Sequence, residues 1–382
     1  MSNKKVSIVV PALNEELTIG EFVEWCKEGL EKAGVEGEII IVDSSTDRTP
    51  EIAESLGARV LRVPKRGLGQ AYIDAIPEIK GDYVIMGDCD CTYDFREIGK
   101  FIEKLDEGYE YVMGTRMKGY IEKGAMPKLH QYFGTPLTTK ILNVVYGSKF
   151  SDIHCGMRGM TLDALKRISL ESSSWEYASE MVLKSIKLRL KVAEVPIRFY
   201  KDREGRLSHH KRTGWFSPWL AGWINLRVML EYTPQTFLKI PGILMSFIGF
   251  VFIALVFWNR LTNTNSIFAL HSLLIGVLLF VVGLSFYQSS ILSEIYYGFD
   301  PEKVKKYRCR ISYNRLMFLA CGLGAAGVIF AVYFINYFIK NGFIMTGIAY
   351  SLIFSIVSFI VCFQTFTFAL LFQMLSKKRY GQ

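Results

Sequence analysis

Two patterns of hydrophobic and polar positions divide this chain. In the first, short apolar runs of strand length alternate with stretches of helical character. Residues 6–10, 38–43, 58–63, 83–86, 111–113 and 192–199 read as strands, apolar and bounded by turn residues. Helices are predicted from the loop at 11–16 to residue 33, from the cap-forming 44–47 through Leu56, and from the basic glycine loop 65–70 onward. Two more are predicted over 95–105 and 177–190. This alternation predicts an α/β fold, with a largely parallel sheet covered by helices on both faces.

The second pattern is one of long apolar blocks. Trp215, Trp219 and Trp223 recur at i, i+4, i+8. With Leu226, Leu230, Arg212 and Arg227 they predict an amphipathic helix over 216–232 in a membrane interface. A buried soluble helix shows the same stripe; the position before an apolar block favours the interface. Residues 240–258, 267–292, 316–338 and 343–375 each supply the ~20 apolar residues that cross a ~30 Å hydrocarbon core. The last carries Gln364 and Gln373 and is long enough to tilt or to extend beyond the bilayer. The expected organisation is a soluble domain at 1–212, an interfacial region at 213–239 and a four-helix transmembrane domain at 240–382.

Charge orients this arrangement. The middle loop carries Lys303, Lys305, Lys306, Arg308 and Arg310, and the tail Lys377, Lys378 and Arg379. The other two connections offer Arg260 and Lys340. The positive-inside rule then places the soluble domain, the middle loop and the C-terminus in the cytosol, and the expected location is a prokaryotic plasma membrane. Gly322, Gly324 and Gly327 permit close helix packing, compatible with a homo-oligomer. The net charge of +9 raises nucleic acid as a partner, but the basic residues sit beside apolar segments, where anionic lipid fits better. The cysteines number seven, two lie in apolar blocks, and no secretory signal peptide is read, so reduced thiols are expected. Cys89 and Cys91 are read as packing residues rather than a zinc site.

Candidate chemistry concentrates where strands end. Asp88 and Asp90 follow the strand at 83–86, where ligands bind in open α/β sheets. Paired carboxylates there suit a hard divalent cation that bridges phosphates; the plain alternative is a solvated turn. The loops after Val10 and Val42 reach the same edge. Asn14, Glu15 and Asp43 can accept hydrogen bonds from a base and ribose, or can serve as caps and turns. Arg66 and the amides around Gly69 can meet phosphate at a helix start. Glu180 either lines a donor pocket or pairs with Lys184 one turn on. Lys118, Lys123 and Lys128 read as a solvated face, Lys123 also as a candidate phosphate contact. Seven Lys, Arg or His residues crowd 201–212, as either a phosphate-binding loop or a polybasic strip on anionic lipid.

These stretches form an ordered set. Val-Pro-Ala-Leu-Asn-Glu at 10–15, Val-Asp-Ser-Ser-Thr-Asp-Arg-Thr at 42–49, Gly-Leu-Gly-Gln-Ala at 67–71 and Gly-Asp-Cys-Asp-Cys-Thr-Tyr-Asp at 87–94 resemble the successive motifs of inverting family 2 glycosyltransferases with the GT-A fold. Ser-Asp-Ile-His-Cys-Gly-Met-Arg at 151–158 is similar to a later motif of the polyprenyl-phosphate sugar synthase branch, which includes dolichyl-phosphate mannose and glucose synthases. The resemblance covers residues 5 to 212, and the membrane part in architecture only. The second motif is one residue shorter than the usual Asp-Asp-Gly-Ser-Thr-Asp form, and Thr92 stands where many relatives carry Gln.

The resemblance implies roles. Pro11, Asn14, Glu15, Asp43, Arg66, Gly69, Asp88 and Glu180 would line the nucleotide sugar. Asp90, with Asp88 and His154, would hold Mg²⁺ or Mn²⁺, although a lone His is more often structural. Arg116, Lys123, Arg203, Arg206 and Ser208 would contact phosphate. Asp152 matches the acidic residue near the sugar, often called the base. A phosphate acceptor, with its second pKa near ~6, hardly needs one, so Asp152 would orient sugar or acceptor. The implied reaction moves one hexose from a UDP- or GDP-sugar, UDP-glucose or GDP-mannose, to a polyprenyl phosphate. A processive polysaccharide or glycolipid synthase is the rival enzyme, but no Gln-x-x-Arg-Trp motif is present. The rival non-enzyme is a nucleotide-sensing membrane anchor.

Overall fold

The computed structural model describes residues 4–206, 217–262, 270–341 and 349–380. The chain divides into two compact units, Met1–Tyr232 and Thr233–Gln382.

The first unit is built on one seven-stranded sheet. Its strands are β1 (Val6–Ala12), β2 (Gly37–Asp43), β3 (Arg59–Arg62), β4 (Tyr83–Met86), β5 (Tyr111–Ile121), β6 (Arg158–Thr161) and β7 (Val192–Phe199), in the order β3-β2-β1-β4-β6-β5-β7. Pairing is parallel for β1 with β2 and β4, for β2 with β3 and for β5 with β7; β6 runs antiparallel to β4 and β5. The central strands explain their own sequences. Val6 to Val10 and all of β4 are buried, as expected for strands covered on both faces.

The helices are α1 (Ile19–Ala33), α2 (Thr49–Ser55), α3 (Leu68–Ala75), α4 (Gly99–Asp106), α5 (Thr135–Tyr146), α6 (Leu162–Ile168), α7 (Tyr177–Lys187) and α8 (Ser217–Tyr232). The predicted helix at 95–105 divides into a 3₁₀ turn at Phe95–Glu97 and α4, and α7 stops at Lys187. Neither β6 nor α5 was expected. Register carries the strand ends to one edge: Ala12 lies opposite Asp43, and Val9 opposite Met86. The loops after β1, β2 and β4 therefore meet. α8 buries Val228, Met229 and Tyr232 and exposes Trp223, Leu226 and Leu230. The Tyr232 hydroxyl lies 3.2 Å from Ser172 Oγ. Trp215, and the side chain of Trp219, lie outside the described residues.

The second unit consists of α9 (Pro234–Thr262), α10 (Leu270–Tyr297), α11 (Pro301–Arg310), α12 (Tyr313–Lys340) and α13 (Ala349–Tyr380). Pro234–Asn259, Leu270–Tyr297, Tyr313–Lys340 and Tyr350–Lys377 are each long and apolar enough to cross a membrane. The basic middle loop is itself helical: α11 starts at a cap in which Asp300 accepts from the Lys303 amide at 3.2 Å. Buried Ile291, Ile295, Val304, Phe368 and Phe372 pack α11 against α10 and α13.

Helix association in lipid relies on close van der Waals approach rather than on expelling water, so glycine decides where backbones touch. On α9 and α10 they do. A Cβ on Gly249 would lie 2.4 Å from Phe280 N and 2.5 Å from Gly276 O, and one on Gly283 2.4 Å from Ser246 N. The glycines expected to pack closely behave differently. A Cβ on Gly324 or Gly327 would meet only the side chains of Cys362 and Phe359 on α13, at 3.3 and 3.2 Å, and Gly322 has open space. Gly276→Val should therefore cost about 1–3 kcal/mol through overpacking against backbone, while Gly322→Val should be nearly neutral. Unfolding in detergent followed for both variants checks this, and equal losses would contradict it.

Candidate active site

The loops after β1 and β2 are laced together. The Asn14 amide donates to Ser45 Oγ at 2.7 Å, and the Thr46 amide to Asn14 Oδ1 at 2.9 Å. The Glu15 amide donates to Thr49 Oγ1 at 2.9 Å. Asn14 itself is left-handed, with φ 56°, a conformation Asn tolerates better than most residues. Asp43 closes β2 fully buried. Its Oδ2 accepts from the Ser45 amide at 3.1 Å and from Arg62, while its buried Oδ1 has no partner among the described residues. An orphaned buried acceptor is costly, and a base or ribose donor would satisfy it.

The turn after β4 presents the two aspartates. Cys91 between Asp90 and Thr92 is left-handed, φ 58°, and Thr92 caps the turn, its amide and hydroxyl donating to Asp90 Oδ1 at 3.0 and 2.6 Å. The Cys89 and Cys91 thiols point back to the β1–α1 region, donating to Pro11 O at 3.3 Å and Thr18 O at 3.6 Å. Burial pushes both thiols up, Cys91 to about 12, so they are protonated packing groups.

Arg206 crosses this edge from the segment after β7. Its guanidinium donates to both Glu15 carboxylate oxygens at 2.7 and 2.6 Å and to Asp202 at 2.8 Å, and lies 3.1 Å from Asp90 Oδ2. The segment is fastened along its length: the Tyr200 amide donates to Thr92 O at 2.8 Å, and Arg203 pairs with Glu21 on α1 and stands 5.7 Å over the Trp25 ring. Burial, reinforced by the charge of Asp90, pushes Asp88 up to about 7, with Arg206 and Arg158 opposing. Burial also raises Asp90, against Arg206 and Thr92. Like charges at one buried site resist joint ionisation, so the pair calls for positive charge. Oxygen donors of this kind fit a hard cation, which typically takes one or two carboxylates and completes its shell with phosphate oxygens and water. Among the described residues no three His, Cys, Asp or Glu groups gather closely enough to hold an ion unaided.

A second cluster adjoins the first. Arg116, on β5, holds Asp152 bidentately, Nε to Oδ2 at 2.7 Å and Nη2 to Oδ1 at 2.9 Å, and adds its amide at 3.1 Å. Burial alone would raise Asp152, but Arg116 holds it below the usual carboxylate range. The 152–158 turn presses on Asp88: a Cβ on Gly156 would lie 2.8 Å from Asp88 Oδ2. His154 donates or accepts at Thr138 Oγ1, 2.8 Å away, and burial pulls it down to about 4, so it is neutral.

Three residues given no role from the sequence hold the two clusters, Glu194 and Arg158 the Asp152 turn and Tyr72 the Asp88 turn. Glu194 on β7 accepts from the Ser151 amide at 2.6 Å, Ser151 Oγ at 2.8 Å and Lys118 at 2.8 Å. Its signal was a lone carboxylate in an apolar strand. Arg158, fully buried, donates to the carbonyls of Cys155 at 2.7 Å and Ala178 at 3.1 Å. Tyr72 donates to Gly87 O at 2.8 Å.

Other expected residues stand elsewhere. Glu180 is fully buried, accepting from the Glu171 and Ser172 amides at 2.9 and 2.8 Å and pairing with Lys184 at 2.5 Å, so the structural pair is made. Gly69 serves packing: a Cβ there would lie 2.1 Å from Ser172 O, and the Gln70 amide donates to Ser173 O at 2.9 Å. Arg66 is largely exposed and pairs with Asp74 at 2.7 Å. Lys123 is exposed. Ser208 lies outside the described residues.

Comparison with known proteins places this geometry. Residues 7–169 match the model for glycosyl transferase family 2, and residues 291–376 that for the glycosyltransferase family 2 C-terminal transmembrane region. A low-salt glycan biosynthesis hexosyltransferase of Haloferax volcanii is 36% identical over 334 residues, 85% of this chain and 79% of that protein. A dolichyl-phosphate hexose transferase of the same organism is 31% identical over 52% of this chain and 84% of its own length. An undecaprenyl-phosphate 4-deoxy-4-formamido-L-arabinose transferase of Edwardsiella ictaluri is 26% identical over 76% of this chain and 87% of its own. Among solved structures, mannosyl-3-phosphoglycerate synthase from Rubrobacter xylanophilus is similar with a TM-score of 0.47 and 22% identity, over 60% of this chain and 75% of that one. The two family-model matches, together with 36% identity over 85% of the chain, show that the chain belongs to glycosyltransferase family 2.

Proposed function

We propose that this enzyme transfers a single hexose from a nucleoside diphosphate sugar to a polyprenyl phosphate, with inversion at the anomeric carbon. The observation that carries the reading is the cluster of Glu15, Asp88 and Asp90 around Arg206 at the carboxyl edge of the sheet. It supplies both an oxygen cradle and a cation where a diphosphate would lie. The lipid acceptor rests on the four apolar helices and on the polyprenyl-phosphate relatives. In this reading the catalytic unit and the C-terminus face the cytosol.

The acceptor phosphate, largely dianionic above its second pKa of about 6, attacks C1 of the sugar. The bond from C1 to the diphosphate breaks, and the nucleoside diphosphate leaves with the electron pair. Asp152 is already ionised and saturated by Arg116, so its role is to orient, not to accept a proton. Arg116 and Arg206 stabilise phosphate charge through charge-assisted hydrogen bonds. Asp43 Oδ1 and the Asn14 loop meet the nucleoside. Asp90 with Asp88 would hold Mg²⁺ or Mn²⁺, which when bound neutralises the departing diphosphate. Positioning of the two substrates supplies much of the rate.

Purified enzyme with a short polyprenyl phosphate, Mg²⁺ or Mn²⁺ and a set of UDP- and GDP-hexoses should give one hexose added to the lipid by mass, lost on chelation. A protein that binds nucleotide yet leaves every prenyl phosphate unmodified would overturn the acceptor assignment. Asp90→Ala should abolish transfer in a folded protein. Arg206→Met leaves Glu15 and Asp90 uncompensated and should cost about 3–5 kcal/mol. Mn²⁺ should then raise its melting midpoint more than that of the wild type, and indifference to the cation would remove these carboxylates from the metal site. Glu194→Ala frees the Asp152 turn and should lower kcat by up to ~100-fold with nucleotide affinity unchanged; a loss confined to donor KM would contradict a positioning role.

A further inference from the structure

Arg158, at the start of β6, is the largest side chain that the fold encloses completely among the described residues. Its guanidinium donates to Cys155 O at 2.7 Å, Ala178 O at 3.1 Å, Gly156 O at 3.3 Å and the Tyr111 hydroxyl at 3.3 Å. It stands 5.7 Å over the Tyr177 ring. All of these partners are neutral. Burial pushes the Tyr111 and Tyr177 hydroxyls up, and the neighbouring Cys155 thiol up to about 12. Among the described residues no carboxylate forms an ion pair with Arg158. A buried charge is normally paired, because taking it out of water alone is costly. Carbonyls can be satisfied by neutral donors, so hydrogen bonding by itself does not call for an arginine here.

The charge is aimed at Asp88. Strand pairing sets Arg158 opposite Met86 at the end of β4, two residues before Asp88. Gly156 lies between the two side chains: its carbonyl accepts from Arg158, and a Cβ on it would stand 2.8 Å from Asp88 Oδ2. Asp152, the other carboxylate of this turn, is already paired with Arg116. Arg206 makes its ion pairs with Glu15, Asp90 and Asp202. Asp88 is thus left to Arg158. Glu15, Asp88 and Asp90 against Arg206 and Arg158 leave a single net negative charge, a weak attraction for a divalent ion.

We propose that Arg158 is the buried counter-charge of Asp88, and that it holds the affinity of the paired aspartates for a free divalent cation down until a diphosphate joins the site. It touches no substrate; it is a positioning residue that acts through Asp88. The inference rests on the metal assigned to Asp88 and Asp90 above. A diphosphate restores the negative charge that the two guanidiniums cancel, so ion and diphosphate each favour the other's binding.

The test measures Mn²⁺ binding to the full chain in detergent by electron paramagnetic resonance, without nucleotide or acceptor. Arg158→Gln removes the charge and keeps an amide donor; Arg158→Lys keeps the charge and gives up the planar fork. At the effective dielectric of a protein interior, Arg158→Gln should bind Mn²⁺ on the order of tenfold more tightly than the wild type, and Arg158→Lys within about twofold of it. Asp90→Ala added to Arg158→Gln should abolish the gain. Inorganic pyrophosphate should tighten Mn²⁺ binding more in the wild type than in Arg158→Gln, and equal gains would contradict the coupling. A purely structural Arg158 gives the opposite sign, because a loosened 155–156 turn weakens Mn²⁺ binding in both variants. Should the glutamine variant not fold, the lysine variant decides: retained affinity supports the charge, and a marked loss refutes it. Wild-type binding that Arg158→Gln leaves unimproved would overturn this inference alone. Indifference of both proteins to Mn²⁺ would remove the metal from the aspartates and overturn the inference with it.

Discussion

The carboxyl edge of the sheet depends on one ion cluster. Three carboxylates, Glu15, Asp88 and Asp90, are drawn to the ends of β1 and β4 by the topology of the sheet, and burial there opposes the ionisation of the two aspartates. Arg206 answers them with a single guanidinium that touches Glu15 and Asp90 together. Because Arg206 comes from beyond β7, the last strand in the chain, the cluster ties the segment after that strand to the loops after β1 and β4. The bond from Tyr200 to Thr92 and the pairing of Arg203 with Glu21 extend the same tie. Pairing with partly buried carboxylates, which offsets their desolvation, is thus what holds the 200–206 segment across the sheet edge.

The Arg116–Asp152 pair follows a different logic. Both side chains are buried, and their two parallel hydrogen bonds leave Asp152 little capacity for further partners. A carboxylate held so firmly below its usual range is a poor proton acceptor at neutral pH. It is well suited to fixing an arginine in one orientation, and Glu194 fixes the turn beneath it. In the reaction proposed above, whose nucleophile would already be an anion, rigid placement of cations would matter more than a base.

The legibility of these features in the sequence tracked their burial. β1, β2 and β4 were plain because strands covered on both faces are almost uninterrupted apolar runs, and their loops carried the motifs. β6 was missed because Arg158-Gly159-Met160-Thr161 has neither length nor alternation; it is a strand through pairing with β4 and β5 on either side. α5 was missed because its outward face is apolar and its inward face carries threonines, the reverse of a soluble helix pattern. Gly67 and Gly69 looked like a phosphate loop, but tertiary packing claims them: the 172–174 backbone passes so close that no side chain fits. Glu180 pairs with Lys184, as i, i+4 spacing allowed, and the same carboxylate also fixes the 171–172 amides of that loop.

The glycines of the apolar unit carry the same lesson into a different solvent. Gly242, Gly249, Gly276 and Gly283 sit where two backbones meet, whereas Gly322, in a denser glycine cluster along the sequence, faces open space. Local density of small residues does not fix an interface; what fixes it is a matching set on a second helix. Gly242 and Gly249 are two turns apart on α9, as are Gly276 and Gly283 on α10, and the two repeats interlock. Water-facing loops at the carboxyl edge of the sheet are held by hydrogen bonds that satisfy buried polar groups. In the apolar unit, where lipid competes equally for side-chain surface, contact of the backbones takes over that role, with few polar links such as Gln364 to Ser285 at 2.6 Å.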